Sequence, residues 1–238
     1  MVMPMPAPRQ KPYVPPLHEG DAVPQAALVD QRGRQFDLRG DGGRTTVVSF
    51  IYTRCRDARM CPLVAAKFAR MQRALRGTPI RLVTLTLDPA YDTAPVLARY
   101  GAAFGADPAI WSLVTGPAPV IDELVGRLGV SVERRGPGQL LHTQAVVILD
   151  ARGRVAREID GAEWLPDDVI GAARSVAALP DDPWRRARLW LSDRAGAVCG
   201  AARASSLTAG TALLMLAAFA IAFGLIIRRA FHTTTPPG

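Results

Sequence analysis

The segment that most constrains the fold is a strand that leads into a cysteine-bearing loop and then into a helix. Residues Thr45 to Thr53 read TTVVSFIYT, a β-branched and aromatic run that predicts a buried central strand. The next loop carries Cys55 and Cys61, and Pro62 stands where the first turn of a helix accepts proline. Apolar residues then recur on one face of a helix that ends near Gly77. The chain is therefore expected to place both cysteines where a buried strand meets a helix.

Strands and helices alternate along the rest of this region. The pattern predicts two short strands within 27–38, a strand at 80–87, helices at 93–104 and 120–128, a hairpin of 143–149 and 155–159, and a helix near 167–178. A parallel strand pair needs a right-handed crossover, and the closing hairpin adds antiparallel edges, so the sheet is expected to be mixed. Helices on both faces would complete the layers. We therefore predict an α/β fold with a thioredoxin-like mixed sheet and flanking helices.

Composition indicates one folded domain with appendages. The chain has 238 residues, of which 49% are hydrophobic and 21% charged. These values are typical of globular proteins and exclude a disordered chain, a collagen and a disulfide-dense miniprotein. The net charge is +8, but the 29 basic residues include only two lysines, Lys11 and Lys67, and form no long basic run. We therefore expect no nucleic-acid partner.

An uncharged segment near the C-terminus predicts a membrane anchor. Residues 204–227 contain no charged side chain, and a helix of about 20 residues spans a hydrocarbon core of about 30 Å. We predict a transmembrane helix at 207–227, followed by a short tail at 228–238. A buried core helix is the alternative, which the length and the missing polar face disfavour. Tryptophans among arginines predict that 180–206 is a juxtamembrane linker at the interface.

The side of the membrane is left open by the sequence alone. Residues 1–19 form a proline-rich tail that we expect to be disordered, and 20–179 form the predicted domain. The first 16 residues contain no apolar core of a signal peptide. Basic residues flank the predicted span on both sides, so the positive-inside rule does not decide its orientation. Either the domain stays in the cytoplasm, or the true start and an export signal lie upstream of Met1.

The cysteine spacing points to chemistry without choosing one kind. Three cysteines, Cys55, Cys61 and Cys199, cannot form a disulfide framework. The first two are arranged as C-x5-C, which is looser than the C-x-x-C of thiol oxidoreductases. Such a pair can form a disulfide, can converge on one metal ion, or can be two unpaired core cysteines. Cys199 lies far from the motif, which argues against catalysis, and acylation or a metal contact are the alternatives to its having no role.

The surroundings of this loop predict reactive thiols. A cysteine at a helix N-terminus faces the positive end of the helix dipole, and the loop carries Arg54, Arg56 and Arg59. Both features favour the thiolate. We therefore expect the pKa of both thiols to lie below the ordinary value of about 8.5.

A histidine supplies the third donor that a metal site would need. His142 is the one histidine within the predicted domain, since His18 lies in the tail and His232 follows the predicted span. It opens the predicted hairpin strand, which can lie beside the cysteine loop in a thioredoxin-like sheet. A buried core histidine is the alternative. Two thiolates and one imidazole suit Cu(I) and tolerate Cu(II), whereas zinc would want a fourth ligand.

Four segments in order resemble a known family. They read CRDARMCP at 55–62, TLDPAYDT at 86–93, YGAAFGADPAIW at 100–111, and HT at 142–143. Over about residues 22–178 the chain resembles the Sco/SenC family. The loop departs from the usual C-P-x-x-C-P motif of that family, because it is two residues longer and has Arg56 in place of the first proline.

The resemblance implies a thioredoxin fold, copper binding, and a role as a chaperone in building the dinuclear copper centre of cytochrome c oxidase. Cys55, Cys61 and His142 match the family's copper ligands. The implied partner is the copper-site subunit of the oxidase or another copper or thiol acceptor. Because that copper centre faces the periplasm, the resemblance implies a domain on the periplasmic side of the inner membrane with a single-pass C-terminal anchor.

The resemblance also covers two acidic residues. Asp88 and Asp92 match acidic positions of the family, and we expect a structural role for both. Asp92 or Thr93 is a good N-cap for the helix that follows.

Three functions remain open for one dithiol. The reduced pair could hold Cu(I) with His142 and release it to an acceptor of higher affinity. The redox-active pair, Cys55 and Cys61, could instead act as a thiol-disulfide oxidoreductase that reduces the acceptor's disulfide through a mixed disulfide. A membrane-tethered domain that only docks respiratory subunits would need neither cysteine. His142 discriminates the first two functions, because metal binding needs it and simple exchange does not.

Overall fold

The computed structural model describes residues 14–39, 43–136 and 138–179, which fold as a mixed sheet with helices and a separate hairpin. The strands are β1 Leu28–Asp30, β2 Gln35–Phe36, β3 Thr45–Ile51, β4 Ile80–Thr86, β5 Trp111–Thr115, β6 Val132–Gly136, β7 Gln139–His142, β8 Ala145–Leu149 and β9 Val155–Asp160. Seven of them form one sheet in the order β2-β1-β5-β4-β3-β8-β9, and β6 and β7 form a separate two-stranded sheet. The helices are α1 Cys61–Ala74, α2 Ala94–Ala103, α3 Ala118–Arg127 and α4 Pro166–Ala177.

The centre of the sheet confirms the predicted thioredoxin-like architecture. Strand β3 pairs in parallel with β4 and antiparallel with β8. Every residue of β3 and of β4 is buried, so both faces of the central strands are covered. Helices α1 and α4 pack against each other and against these two strands. The β-branched composition of β3 suits a strand that is buried on both faces.

Helix α1 is held firmly behind the cysteine loop. Its ring-bearing residue Phe68 is fully buried between Trp111 of β5 and Trp164. The helix begins at Cys61, with Pro62 in its first turn, as predicted. The loop of residues 52–60 therefore joins the carboxyl end of β3 to the amino end of a well-packed helix.

The strand predictions were incomplete in the second half of the domain. Strand β5, which lies beside β4, was not predicted, and neither was the hairpin of β6 and β7. Consequently His142 ends β7 and does not open the strand that was predicted at 143–149. Strand β6 reads VERRG and is largely exposed, so it lacks the apolar alternation by which strands are predicted.

Two further expectations concern the ends of elements and of the chain. Thr93 is the N-cap of α2, but its side chain makes no capping hydrogen bond. The Asp92 carboxylate does not cap the helix either, because it accepts a hydrogen bond from the Thr86 hydroxyl. Within the described part of the chain, no helix is both long enough and apolar enough to cross a bilayer. The predicted linker, transmembrane helix and short tail, with Cys199 and His232, lie outside the described residues, as does most of the proline-rich tail.

Candidate metal centre

The fold brings a cysteine and a histidine together across a long stretch of chain. Cys61 Sγ lies 3.7 Å from His142 Nε2, although the two residues are 81 positions apart. Cys61 is 1% exposed and His142 is 8% exposed. The start of α1 holds the first residue, and the end of β7 holds the second. A soft sulfur donor and an imidazole nitrogen therefore face each other in a nearly dry site.

A backbone contact selects the tautomer of this histidine. His142 Nδ1 lies 2.8 Å from the carbonyl oxygen of Thr143. Because a carbonyl oxygen can only accept, Nδ1 must carry the proton, and Nε2 of the neutral ring keeps its lone pair. Burial lowers the pKa of His142 below its ordinary value, against the opposing effect of the Thr143 carbonyl. At neutral pH the imidazole is thus neutral, with its free lone pair directed at Cys61.

Cys55, the second cysteine of the site, lies closer to the protein surface than Cys61. Cys55 is half-buried, and its Sγ lies 3.8 Å from the carbonyl oxygen of Asp57. Cys55 lies close enough to Cys61 to raise the pKa of the Cys61 thiol, so the two side chains are neighbours. The free thiols therefore form a pair with one outer and one inner member.

The three predicted ligands are not yet gathered around one point. Within the described ranges, no three side chains among His, Cys, Asp and Glu are placed so that they could hold a metal ion. Cys61 and His142 are in place, and Cys55 is adjacent to Cys61 but not arranged around a centre common to all three. The outer cysteine is therefore the ligand that would have to move.

The prediction of a lowered thiol pKa is wrong for Cys61. Burial raises the pKa of this thiol, and the neighbouring Cys55 raises it further, against an opposing hydrogen bond from the Tyr52 backbone. Two of the three loop arginines already have acidic partners, and the third, Arg56, is exposed to solvent. Arg54 pairs with Asp88, and the side chain of Arg59 is 91% exposed beside Asp57. Desolvation of the inner thiol therefore outweighs the helix N-terminus and the basic loop.

Arg54 anchors the cysteine loop to the loop that follows β4. Its guanidinium hydrogen-bonds to the Asp88 carboxylate, with Nε 3.1 Å from Oδ2, and lies 4.2 Å from the centre of the Tyr91 ring. The hydrogen bond to Asp88 raises the pKa of Arg54 above its ordinary value. This contact gives Asp88 the structural role that was expected.

Asp92 fixes the start of the same loop from the inside. Its carboxylate is fully buried and accepts hydrogen bonds from the Thr53 backbone N–H, the Thr53 hydroxyl and the Thr86 hydroxyl. Burial raises the pKa of Asp92, although these hydrogen bonds oppose the effect. Asp92 therefore joins the end of β4 to the residue two positions before Cys55.

Tyr52 is a site residue that sequence reasoning missed. Its ring meets the His142 ring edge-on, with the centroids 5.9 Å apart. Its hydroxyl donates to the Leu140 carbonyl oxygen at 3.4 Å. Burial raises the pKa of Tyr52 to about 12, so the hydroxyl remains a donor. The signal available in the sequence was its position three residues before Cys55 at the end of a buried strand.

An open groove lies in front of Cys55. It has a volume of about 870 Å³ and runs between the cysteine loop and strand β7. We call it the cysteine groove. It is lined by Tyr52, Thr53, Arg54, Cys55, Arg56, Asp57, Met60, Tyr91, Arg135, Gly138, Gln139, Leu140 and Leu141.

Comparison with known proteins assigns this arrangement to a family. The sequence profile of SCO1/SenC matches residues 17–178, which is more than half of the chain. The chain belongs to the SCO1/SenC family. This confirms the resemblance carried by the four segments. The longer C-x5-C loop is then a variation inside the family.

Individual SCO1/SenC relatives and structures support the same fold. An SCO1 protein homologue from Bacillus subtilis (strain 168) is 24% identical over 156 residues, covering 63% of this chain and 80% of that protein. The structure of ScoI from Bradyrhizobium japonicum, with copper bound, has a TM-score of 0.56 and 20% identity, covering 66% of this chain and 99% of that one. BsSco, described as a member of the Sco family of cytochrome c oxidase assembly proteins with a disulfide switch, has a TM-score of 0.58 and 23% identity, covering 70% and 98%.

Proposed function

We propose that this protein is a membrane-anchored copper chaperone. It binds copper as its cargo through Cys55, Cys61 and His142 and passes it to the dinuclear copper site of cytochrome c oxidase. Family membership supports the proposal, as do a relative whose structure was solved with copper bound and a relative described as an assembly protein of that oxidase. The ligand residues are proposed from the geometry of this chain.

The observation that carries the proposal is the preset pair of Cys61 and His142. A first-row metal ion about 2.3 Å from sulfur and about 2.1 Å from nitrogen, at an angle of about 115°, separates the donors by roughly 3.7 Å. Cys61 Sγ and His142 Nε2 lie 3.7 Å apart. The Thr143 carbonyl already holds the ring in the tautomer that binds a metal through Nε2. Two of the three donors therefore fit an ion without rearrangement.

The outer cysteine completes the site after a short movement. Cys55 lies on a loop with exposed residues on its far side, and its Sγ makes one weak contact, with the Asp57 carbonyl oxygen at 3.8 Å. Thiolates prefer Cu(I), and two thiolates with one imidazole form a soft three-coordinate site. Because Cys61 is a thiol at neutral pH, loading releases its proton. An outer ligand that moves also gives a route by which the cargo can leave.

We extend the proposal to the location of the protein. The domain faces the periplasm and is anchored in the inner membrane by the segment at 207–227. The uncharged sequence of that segment supports an anchor. The proposed acceptor, whose copper centre faces the periplasm, supports that side.

The test is an anaerobic Cu(I) titration of the reduced full-length protein in detergent, in competition with a colorimetric chelator. We expect one tightly bound Cu(I) per chain. Removal of a residue that only hydrogen-bonds to a metal ligand lowers metal affinity by about 10- to 100-fold. Removal of a ligand should lower it further, so His142→Ala is expected to lower the Cu(I) affinity at least about 100-fold. Cys55→Ser and Cys61→Ser should do the same.

Matched controls separate ligand loss from a general effect. His18→Ala removes a histidine whose side chain is 84% exposed, and Cys199→Ser removes the cysteine outside the motif. Both should retain the wild-type Cu(I) affinity. Equal binding by wild type and His142→Ala would contradict the proposed ligand set.

A second function is favoured by the unequal exposure of the two thiols. Cys55 lines the cysteine groove, whereas Cys61 is buried behind it. The Cys55 thiolate can attack an acceptor disulfide, after which Cys61 attacks Cys55 Sγ. The acceptor leaves with two thiols, the two protons of the dithiol pass to it, and Cys55 and Cys61 end as a disulfide. This reaction makes the protein a thiol-disulfide reductase.

One variant discriminates the two functions. If the reductase function is the main one, His142→Ala should bind Cu(I) as weakly as wild type while still cycling against a dithiol buffer. If the chaperone function is the main one, the same variant loses the tight Cu(I) affinity of the wild type. Cu(I) affinity and disulfide exchange are measured on the same samples.

A further inference from the structure

One edge of strand β7 is left without a partner strand next to Cys55. In the described part of the chain, β7 pairs with β6 alone. The Thr143 N–H donates to the Ser131 carbonyl at 3.1 Å, so Thr143 points its backbone groups towards the β6 side. Since these groups alternate along an antiparallel strand, those of Leu140 and His142 point to the other side. The Tyr52 hydroxyl donates to the Leu140 carbonyl from that side, which places the free edge in the cysteine groove.

The groove has the size and surface for an extended peptide. Its volume of about 870 Å³ holds a short strand. Apolar side chains flank it, with Leu141 51% exposed and Tyr91 45% exposed. A main-chain edge beside apolar side chains is the arrangement by which proteins bind a peptide as an added strand. The half-buried thiol of Cys55 lies in the lining of the same groove.

The excess of positive charge in the cysteine groove favours an acidic peptide. Its lining contains Arg54, Arg56 and Arg135, against one carboxylate, Asp57. Arg54 is satisfied by Asp88, and Arg135 has only an exposed ion pair, 3.2 Å from Glu133. Arg56 is exposed and has no ion-pair partner within the described residues. Exposed ion pairs contribute little free energy, so Arg135 and Arg56 are both available to an acidic ligand.

We propose that the cysteine groove is the docking site for an extended, acidic, cysteine-bearing segment of a protein partner. The segment adds to the free edge of β7, with its amides bonded to Leu140 and its carboxylates near Arg56 and Arg135. Its cysteine sulfur then meets Cys55. This inference rests on the proposed function, because it names the chemistry of the partner that exchanges copper or a disulfide at that site.

The test uses short synthetic peptides whose single cysteine is activated as a mixed disulfide with thionitrobenzoate. The protein is the full chain in detergent, with Cys61→Ser and Cys199→Ser, so that Cys55 is the one thiol. The Cys55 thiol loses its proton to the buffer and attacks the peptide sulfur. A disulfide forms between Cys55 Sγ and the cysteine sulfur of the peptide. The S–S bond between that cysteine and thionitrobenzoate breaks, and thionitrobenzoate leaves with the electron pair as a coloured thiolate.

Three matched peptides carry acidic, neutral or basic residues beside the cysteine. We expect the acidic peptide to react about tenfold faster than the neutral one at low salt, and this difference to disappear at about 0.5 M salt. Arg56→Glu and Arg135→Glu should abolish the preference. Arg76→Glu is the control, because it makes the same change of charge at an exposed position beyond the far end of α1.

A fourth peptide tests the strand edge independently of charge. It is the acidic peptide with N-methylated amides, which cannot donate to the Leu140 carbonyl. We expect it to react about five- to tenfold more slowly than its parent, which is the loss of about one hydrogen bond. Equal rates for all peptides, equal effects of Arg56→Glu and Arg76→Glu, or no effect of methylation would each overturn the proposal.

The result is separable from the proposed function. No copper is present in the peptide assay, and no peptide is present in the Cu(I) titration. Tight Cu(I) binding without peptide selectivity would refute this inference alone. Peptide selectivity without dependence of Cu(I) binding on His142 would refute the proposed ligand set alone.

Discussion

Single atoms next to the two sulfurs decide what the site can do. The Thr143 carbonyl selects the tautomer of His142, and burial keeps the Cys61 thiol protonated. Neither influence is a property of the residue type. The imidazole is preset as a metal ligand, whereas the inner cysteine becomes a thiolate only when something replaces its proton. Because its pKa is raised, the Cys61 thiol is a weak nucleophile in the absence of a metal ion, and it becomes a thiolate ligand when a metal ion displaces its proton.

The buried carboxyl group of Asp92 predicts a dependence of stability on pH. Its pKa is raised by burial, so the folded protein keeps a proton that the unfolded chain has released above its ordinary pKa of about 3.9. Rising pH therefore favours the unfolded chain until the folded pKa is reached. Relative to Asp92→Asn, the unfolding free energy of the wild type should fall as the pH rises above about 4.

Urea denaturation of both proteins between about pH 4 and pH 8 measures this difference, because all other titrating groups cancel. The slope with pH carries the information, since the amide also changes the hydrogen bonds with Thr53 and Thr86. Two parallel stability curves would show that Asp92 titrates alike in the folded and unfolded chains.

At the level of elements, the site depends on where α1 begins and where β7 ends. The packing of α1 sets the position of Cys61, and the pairing of β7 with β6 sets that of His142. The start of α1 could be predicted from the sequence, because Pro62 and the apolar periodicity mark it. The end of β7 could not be predicted, because its partner β6 is exposed and charged and lacks a strand pattern of its own. The pairing of such a strand depends on its neighbours in the fold.

The packing of α1 predicts the effect of two truncations on the same helix. Phe68 is fully buried against two tryptophans, so Phe68→Ala should lower the unfolding free energy by about 3–5 kcal/mol. Leu63 is 38% exposed, and Leu63→Ala should cost less than about 1 kcal/mol. Denaturant unfolding monitored by tryptophan fluorescence gives both values. Similar losses for the two variants would mean that α1 is not held through its buried face.

For the whole molecule, the proposed periplasmic side predicts which reagents reach Cys55. The Cys199→Ser variant has one half-buried cysteine and one buried cysteine in the domain. A maleimide that cannot cross the membrane should label it in intact cells with an opened outer membrane. Labelling should disappear in the further variant Cys55→Ser. Labelling that requires lysis of the inner membrane would place the domain in the cytoplasm.

The extent of the sequence-based prediction differed between fold and site. The central strand, the cysteine loop, helix α1 and the mixed sheet were predicted, because buried strands and amphipathic helices leave periodic patterns in their own residues. Strand β5 and the β6–β7 hairpin were not predicted. The site residues Cys55, Cys61 and His142 were named from donor chemistry, whereas Tyr52 and the Thr143 carbonyl were missed because their roles depend on what lies opposite them.

The sequence by itself determined the fold class, the family and the candidate donors of the site, since all three are carried by local patterns and residue types. Only the tertiary structure decided that Cys61 and His142 meet at 3.7 Å across 81 residues, and that the inner thiol has a raised pKa. It also decided that Cys55 opens onto the free edge of β7. The physical reason is that distance, burial and hydrogen-bond partners arise only when strands and helices far apart in the chain pack together.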